Sequence, residues 1–198
     1  MSRLLILNAN PKQKSLNQQL ADAYETGVRL GSPVAECEIR RFNLSDMNFD
    51  PSLNEGYDQM QALETDLNDL LAALQWADHI LIVSPIWWGG LPAKFKGLID
   101  RVFLPGQTFK YEADSPLPTP LLTGKTAQLI LTMDAPEEYA EIQAAPVLEQ
   151  LNRFTLEFCG IENEQPLLIP SASFSDEQQI ALWLKTTNEL GQATGQGR

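Results

Sequence analysis

Residues 79–92 read HILIVSPIWWGGLP and contain a strand, a loop and the start of a helix. The first six residues are mostly aliphatic, which is typical of a strand buried on both faces of a parallel sheet. Two tryptophans and two glycines follow as a loop, and Pro92 stands at a favoured first position for a helix that Pro105 and Gly106 end. A strand leading into a helix is the repeating unit of α/β folds.

The same unit recurs before and after this segment. RLLILN at residues 3–8 is a second aliphatic run, and apolar residues spaced three and four apart predict a helix from Ser15 to Leu30. The other predicted elements are a weaker strand at 34–42, a helix over 60–74, a strand at 126–132, a helix at 146–159, a strand at 166–169 and a helix at 175–190. We expect residues 191–198 to form a frayed tail.

Strand and helix thus alternate five times, within one domain that we expect to span residues 1–198. This alternation predicts an α/β fold, a doubly wound five-stranded parallel sheet with the flavodoxin-like order 2-1-3-4-5. Ligands of such sheets bind outside the carboxyl ends of the strands, where the strand order reverses. We therefore expect three loops to form the site: 8–17, 85–91 and 132–139.

Composition narrows the class of ligand. The chain has 198 residues, a net charge of -12 and two cysteines, Cys37 and Cys159. Nucleic acids and anionic membranes would repel so acidic a protein, so we expect neither as a partner. The cysteines lack a C-x-x-C spacing, which argues against a disulfide framework or a bound metal. Because the apolar runs are too short for a signal peptide or a membrane span, we expect a cytoplasmic protein with small-molecule ligands.

The loop at residues 8–17 joins a buried strand to a helix N-terminus. Unpaired N–H groups and the helix dipole favour an anion at such a position. Lys12 and Lys14 approach this helix start, and no acid occupies its first turn. However, Ser15 and Gln18 also fit a capping box, which needs no ligand. Two interpretations stay open here, a phosphate site and an ordinary helix cap.

The second loop places Trp87 and Trp88 before two glycines. Adjacent glycines let a backbone approach a planar ligand closely, and an aromatic wall favours a flat ring system. The alternative is that one indole closes the core and the other packs at a subunit contact. The loop sequence alone does not separate these two interpretations.

At this loop the sequence resembles a known family. The segment PIWWGGLPAKFKG at residues 85–97, continuing to DRVF at 100–103, resembles the signature of the NAD(P)H quinone reductase family of flavodoxin-like proteins. The opening strand followed by SLN at residues 15–17 is similar to that family's flavin phosphate loop, and Phe109-x-Tyr111 to its next landmark. The resemblance covers nearly the whole chain, although the C-terminal third matches mainly in the order of its elements.

The resemblance implies a noncovalently bound flavin. Its phosphate is expected in the first loop, and the two edges of its ring beside the second and third loops. FMN is favoured because no extra element for an adenine half is evident, and FAD is the alternative. The residues implied to contact the cofactor are Asn10, Ser15, Leu16, Asn17, Pro85, Ile86, Trp87, Trp88, Gly89, Thr132, Met133, Asp134 and Ala135.

Three positions depart from the family pattern. Asn10 stands where many members have histidine, Asp134-Ala135 replaces a common Gly-Gly, and no histidine follows His79. A Tyr-His pair that assists hydride transfer in some members is therefore absent, and Tyr139 is the candidate for its tyrosine, at a different spacing. We interpret His79 as structural because it enters a buried strand opposite the active edge. Asp134 would disfavour an anionic reduced flavin unless its carboxylate turns away.

The family match implies a two-step reaction, in which NADH or NADPH reduces the flavin and leaves before a quinone-like acceptor enters the same cleft. Trp87, Trp88 and Tyr139 are expected to form the acceptor pocket. Because sites in this family commonly draw on both subunits, we expect a homodimer, with the loop at residues 43–57 as a contributor. Two alternatives are an electron carrier without NAD(P)H turnover and a regulatory subunit that binds flavin weakly.

Overall fold

The computed structural model describes residues 3–32, 37–113, 115 and 117–197. Strands and helices alternate along this part of the chain. The strands are β1 (Arg3–Asn8), β2 (Glu38–Asn43), β3 (His79–Pro85), β4 (Phe109–Lys110), β5 (Thr119–Pro120), β6 (Lys125–Thr132), β7 (Ile161–Asn163) and β8 (Leu167–Ile169). The helices are α1 (Leu16–Gly31), α2 (Thr65–Trp76), α3 (Ala93–Val102), α4 (Glu137–Leu148) and α5 (Glu177–Gly195).

The main sheet confirms the predicted parallel order. Its path is β2-β1-β3-β6-β7, and β8 also pairs with β6. Since β7 lies beside the start of β6 and β8 beside its end, the two together form the fifth strand in two pieces. Helices α1 and α5 cover one face, and α2, α3 and α4 cover the other. Among the described residues, no helix combines the length and apolarity needed to cross a membrane.

Some predicted element bounds are wrong. The second strand begins at Glu38 rather than at residue 34, and residues 33–36 lie outside the described part of the chain. Helix α2 begins at Thr65, so Met60 and Leu63 precede it. Met60 is fully exposed, which shows that its apolar spacing was fortuitous. Between α3 and β6 the chain also forms the short antiparallel pair β4–β5, which the sequence did not indicate.

The helix predicted at 146–159 begins nine residues earlier, at Glu137. Pro146 therefore lies inside α4 instead of starting a helix. A proline cannot donate to the carbonyl four residues before it, and α4 passes into a π-helical segment, Glu149–Leu156, one turn later. Ala140, Ala144 and Val147 are buried against the sheet, so packing on both sides of the proline maintains the helix.

The tail predicted from residue 191 is helical up to Gly195, where α5 ends, and residue 198 lies outside the described part of the chain. Helices α1 and α5 touch through glycines on both sides. A Cβ atom added to Gly27 would lie 2.0 Å from the Asn188 carbonyl oxygen, and one added to Gly191 would lie 2.3 Å from that of Tyr24. The glycines therefore let the two backbones pack directly together.

A buried arginine holds the long segment between β2 and α2. The Arg101 side chain is 1% exposed and forms an ion pair with Glu64 at 2.9 Å. Its Nη2 also donates to the Ala62 carbonyl at 2.7 Å, and its Nη1 donates to the Asp50 carbonyl. Lys94 donates to the carbonyls of the same segment nearer to β2. Lys94 and Arg101 of α3 thus have a structural role.

His79 lies in a buried polar cluster at the amino-terminal end of the sheet. Its Nε2 is 3.0 Å from the Tyr24 hydroxyl, and its Nδ1 is 2.6 Å from the Thr126 hydroxyl. The Tyr24 hydroxyl in turn lies 2.8 Å from that of Thr194 on α5. Burial lowers the pKa of His79 from 6.5 to about 4. These contacts confirm the structural interpretation of His79.

Candidate functional site

A groove of about 280 Å³ lies at the carboxyl ends of β1, β3 and β6. We call it the first groove. It brings together ten of the predicted contact residues, drawn from all three loops. They are Asn10, Ser15, Leu16, Asn17, Pro85, Ile86, Trp87, Thr132, Met133 and Asp134. The groove therefore lies where the strand order reverses, as the topology requires.

One end of the first groove is suited to an anion. The Ser15 side chain accepts a hydrogen bond from the Gln18 amide at 3.3 Å, which confirms the helix cap. The earlier amides of α1, those of Leu16 and Asn17, have no partner within the helix. No acid lies in the first turn, and Lys12 also lines the groove. The cap thus leaves room for an anion and does not exclude one.

A buried amide in this end carries an unused donor. Asn17 Oδ1 accepts hydrogen bonds from Asn10 at 2.9 Å and from Thr132 at 3.3 Å. The Asn17 side-chain Nδ2 is buried without a partner among the described residues. A buried donor left unpaired costs about 1–3 kcal/mol. A ligand oxygen in the groove would satisfy it, so these residues fit a phosphorylated ligand.

The second loop is a tight turn with a strained tip. Trp87 and Gly90 exchange both backbone hydrogen bonds at 2.9 Å, and Trp88 and Gly89 between them have φ of 53° and 68°. Positive φ at both central residues is the type I′ pattern, and it is rare for a bulky residue such as tryptophan. Trp87 is 47% exposed and Trp88 is wholly exposed. Neither indole closes the core, so that part of the alternative is wrong.

A second groove, of about 290 Å³, continues from the first. It shares Ile86, Trp87 and Asp134 with the first groove and adds Trp88 and Gln143. The predicted contact residues Gly89 and Ala135 line neither groove. The site thus has a polar end at α1 and an aromatic end at the second loop.

Tyr139 lies in the first turn of α4 rather than in a loop. It is exposed and lines neither of these grooves. No hydrogen bond connects its side chain to the second loop among the described residues. A catalytic role for Tyr139 stays a prediction, and its position gives that role no support.

Sequence reasoning missed a fourth loop, which follows β8. Ala172 and Ser173 line the first groove, and Ser171 has a φ of 49°. The Ser173 amide donates to Asp134 Oδ1 at 3.0 Å, so part of this carboxylate is turned toward the loop. The predicted strand order did carry a signal, because the exit of the fifth strand must lie beside that of the fourth.

A larger groove, of about 490 Å³, lies beside α3 and the π-helical segment. We call it the aromatic groove. Six aromatic side chains line it, and they include both landmark residues of the Phe109-x-Tyr111 motif. They are Tyr57, Phe103, Phe109, Tyr111, Phe154 and Phe158. Among the described residues, no cluster of three or more potential ligands for a metal ion is present.

Comparisons with known proteins agree with this geometry. A family profile described as flavodoxin-like fold matches residues 2–189. Ribosyldihydronicotinamide dehydrogenase (quinone) of Homo sapiens is 27% identical over 197 residues, covering 88% of this chain and 82% of that protein. FMN-dependent NADH:quinone oxidoreductase of Bordetella bronchiseptica is 27% identical and covers 78% of each. The solved NAD(P)H:quinone oxidoreductase from Methanothermobacter marburgensis shares the fold, with a TM-score of 0.78 and 21% identity over 98% of each chain.

Proposed function

The chain belongs to the flavodoxin-like fold family, and from that premise we propose that it is a flavin-dependent NAD(P)H oxidoreductase that reduces quinone-like acceptors. The relatives from Homo sapiens and Bordetella bronchiseptica support this proposal, since both are named for the reduction of quinones. FMN is the favoured cofactor because the Bordetella relative is FMN-dependent. FAD is the alternative.

The observation that carries the proposal is the unpaired Nδ2 of Asn17 in a groove that also reaches Trp87. The unpaired donor, the free amides at the start of α1 and Lys12 together suit a phosphate. Trp87 and Ile86 then suit a flat ring a short distance away. A ligand with a phosphate at one end and a planar ring at the other matches both ends.

Bound FMN would supply the redox chemistry, by accepting a hydride from NADH or NADPH and passing electrons to the acceptor. The protein would bind the flavin, orient its ring and shield it from water. The turn at Trp87–Gly90 leaves the amides of Trp88 and Gly89 outside its own hydrogen bonds. These amides are therefore available to the edge of the ring, where donors stabilise developing negative charge. The nicotinamide and the acceptor would occupy the second groove in turn.

We also propose that the active form is a cytoplasmic homodimer. The aromatic groove supports a second copy, because it exposes Tyr57, Tyr111 and Phe154 on one chain. Exposed aromatic clusters of this kind commonly mark protein contacts. Both cysteines are free thiols, which suits a reducing compartment.

Flavin uptake and nicotinamide turnover test the proposal in sequence. Purified protein should show a flavin absorbance spectrum, or acquire one with FMN, and anaerobic NADH or NADPH should bleach it in a stopped-flow experiment. Protein that takes up neither FMN nor FAD would refute the proposal. Bound flavin that neither nucleotide bleaches would favour an electron carrier. A dissociation constant near millimolar, about 4 kcal/mol of binding, would favour a regulatory subunit.

The phosphate end has its own test in the Lys12→Gln variant. Losing the ion pair between this exposed lysine and the phosphate should raise the dissociation constant of FMN about threefold, since exposed ion pairs contribute roughly 0.2–1 kcal/mol. Binding of riboflavin, which lacks the phosphate, should not change. Lys185→Gln is the matched control, because this exposed lysine lies on α5 and pairs with Glu189. Equal weakening of riboflavin and FMN would show that Lys12 does not contact the phosphate.

A further inference from the structure

The second groove differs from the first in its charge. Its walls are Ile86, Trp87, Trp88, Asp134 and Gln143, and none of the described residues that line it is a lysine or arginine. Lys12, the one cation among the described residues of both grooves, lines only the first groove. The outer half of the site therefore combines aromatic faces with a single carboxylate.

Asp134 is held in place at this position. Its Oδ1 accepts from the Ser173 amide at 3.0 Å, and its second oxygen has no hydrogen-bond partner in the described part of the chain. One oxygen thus anchors the side chain to the loop after β8, and the other is available to a ligand. The hydrogen bond thus places the carboxylate at the junction of the two grooves.

Gln143 adds a second unpaired acceptor. Its side-chain Oε1 is buried and has no partner among the described residues. An unsatisfied buried acceptor favours a ligand group that donates a hydrogen bond. Neither Asp134 nor Gln143 carries a positive charge that could attract an anion.

The two indoles supply the remaining walls. Trp88 is wholly exposed at the tip of the turn, and Trp87 lies half-exposed beside it. Aromatic faces stack on flat rings and attract cations, and tryptophan does so most strongly. Stacking and the fixed carboxylate therefore act together on one class of ligand.

We propose that the second groove selects planar cationic rings over neutral rings and disfavours planar anions. The inference rests on the proposed function in one respect: it identifies planar cationic rings as the acceptors that the proposed oxidoreductase prefers. It narrows the acceptor to a planar ring system that is cationic or, with lower affinity, neutral. The preference follows from Asp134, since Asp134-Ala135 stands where the family pattern that the sequence resembles has a common Gly-Gly.

Equilibrium dialysis with three acridines tests the preference directly. N-methylacridinium, acridine and acridine-9-carboxylate share one ring system and differ in charge at pH 8. The cation should bind roughly fivefold tighter than acridine, as a partly exposed charge contact predicts, and the anion should bind more weakly than either. Added salt should reduce the cation's advantage. Equal binding of the cation and acridine would overturn the proposal.

Two variants identify the groups responsible. Asp134→Asn keeps an acceptor for the Ser173 amide and should remove most of the cation's advantage without changing acridine binding. Glu162→Gln is the control, because it removes the same charge from an exposed residue at the other end of the sheet. Trp88→Ala should weaken all three probes. An unchanged charge preference in Asp134→Asn, or unchanged binding in Trp88→Ala, would contradict the assignment.

Flavin retention measured on the same samples separates this proposal from the function on which it rests. Protein that does not retain FMN and still prefers the cation rejects the oxidoreductase proposal and keeps the charge preference. The opposite result is protein that retains FMN, whose flavin is bleached by NADH or NADPH, and that binds the three acridines equally. It would support the oxidoreductase proposal and reject the charge preference.

Discussion

Replacing His79 with glutamine removes the only histidine in the chain and should remove an acid-sensitive part of its stability. In the folded protein, burial lowers the pKa of His79 from 6.5 to about 4. As the pH falls, the unfolded chain therefore takes up the proton first. Stability that is fully present above pH 6.5 is lost as the pH falls toward the folded pKa.

The size of the effect follows from the two pKa values. A pKa lowered from 6.5 to about 4 corresponds to about 3 kcal/mol between the two protonation states. The ring is 2% exposed, so solvent screening does not reduce this figure. Such a loss is a large fraction of the roughly 5–15 kcal/mol that stabilises a typical domain.

Urea unfolding of the wild type and of His79→Gln from pH 8 to pH 4 measures the effect. The free energy of unfolding of the wild type, relative to the variant, should fall by about 3 kcal/mol across this range. Carboxylates titrate in both proteins, so their contribution cancels in the difference. The imidazole proton resonance, unambiguous in a chain with one histidine, should titrate near the lowered pKa. A difference independent of pH, or an imidazole midpoint near 6.5, would refute the reasoning.

Three further predictions concern strain and packing. Trp88→Gly relieves a positive φ of 53° and should raise the free energy of unfolding by about 0.5–1 kcal/mol in urea titrations, although it removes an acceptor wall. Gly191→Ala should destabilise by about 1–3 kcal/mol, because its Cβ would lie 2.3 Å from the Tyr24 carbonyl oxygen, and an unchanged melting temperature would contradict the packing. Arg101→Met should cost about 2 kcal/mol and expose residues 44–64 to limited proteolysis before global unfolding, because it leaves Glu64 and two carbonyls without their donor.

The sheet could be predicted because each of its central strands is a continuous aliphatic run. β1 and β3 are almost fully buried, and their bounds agree with the sequence to within one residue. The helix bounds were harder, because tertiary packing decided them. Pro146 reads as a helix start, yet residues buried on both sides of it keep it inside α4. The glycines of α5 read as a tail, yet they are what allows close contact with α1.

The meeting of the three predicted loops in one groove could be predicted for similar reasons. Loops that follow buried strands must meet at one edge, so the contacts of Asn10, Asn17 and Thr132 follow from topology. The participation of Ser173 depends on a hydrogen bond with Asp134 that no local pattern encodes. The sequence also indicated a turn at the two glycines, but not that Trp88 would take a positive φ.

The distribution of strain separates the two ends of the sheet. Trp88 and Ser171 are the non-glycine residues with positive φ in the described part of the chain, and both lie in loops at the carboxyl edge. The unpaired donor of Asn17 lies at the same edge. At the opposite edge, both ring nitrogens of His79 have partners. Backbone strain and unpaired polar atoms that persist in a folded protein are expected where ligands bind, because a ligand or a constraint of the site compensates for their free-energy cost. Both strained residues therefore lie at the edge where the proposed ligands bind.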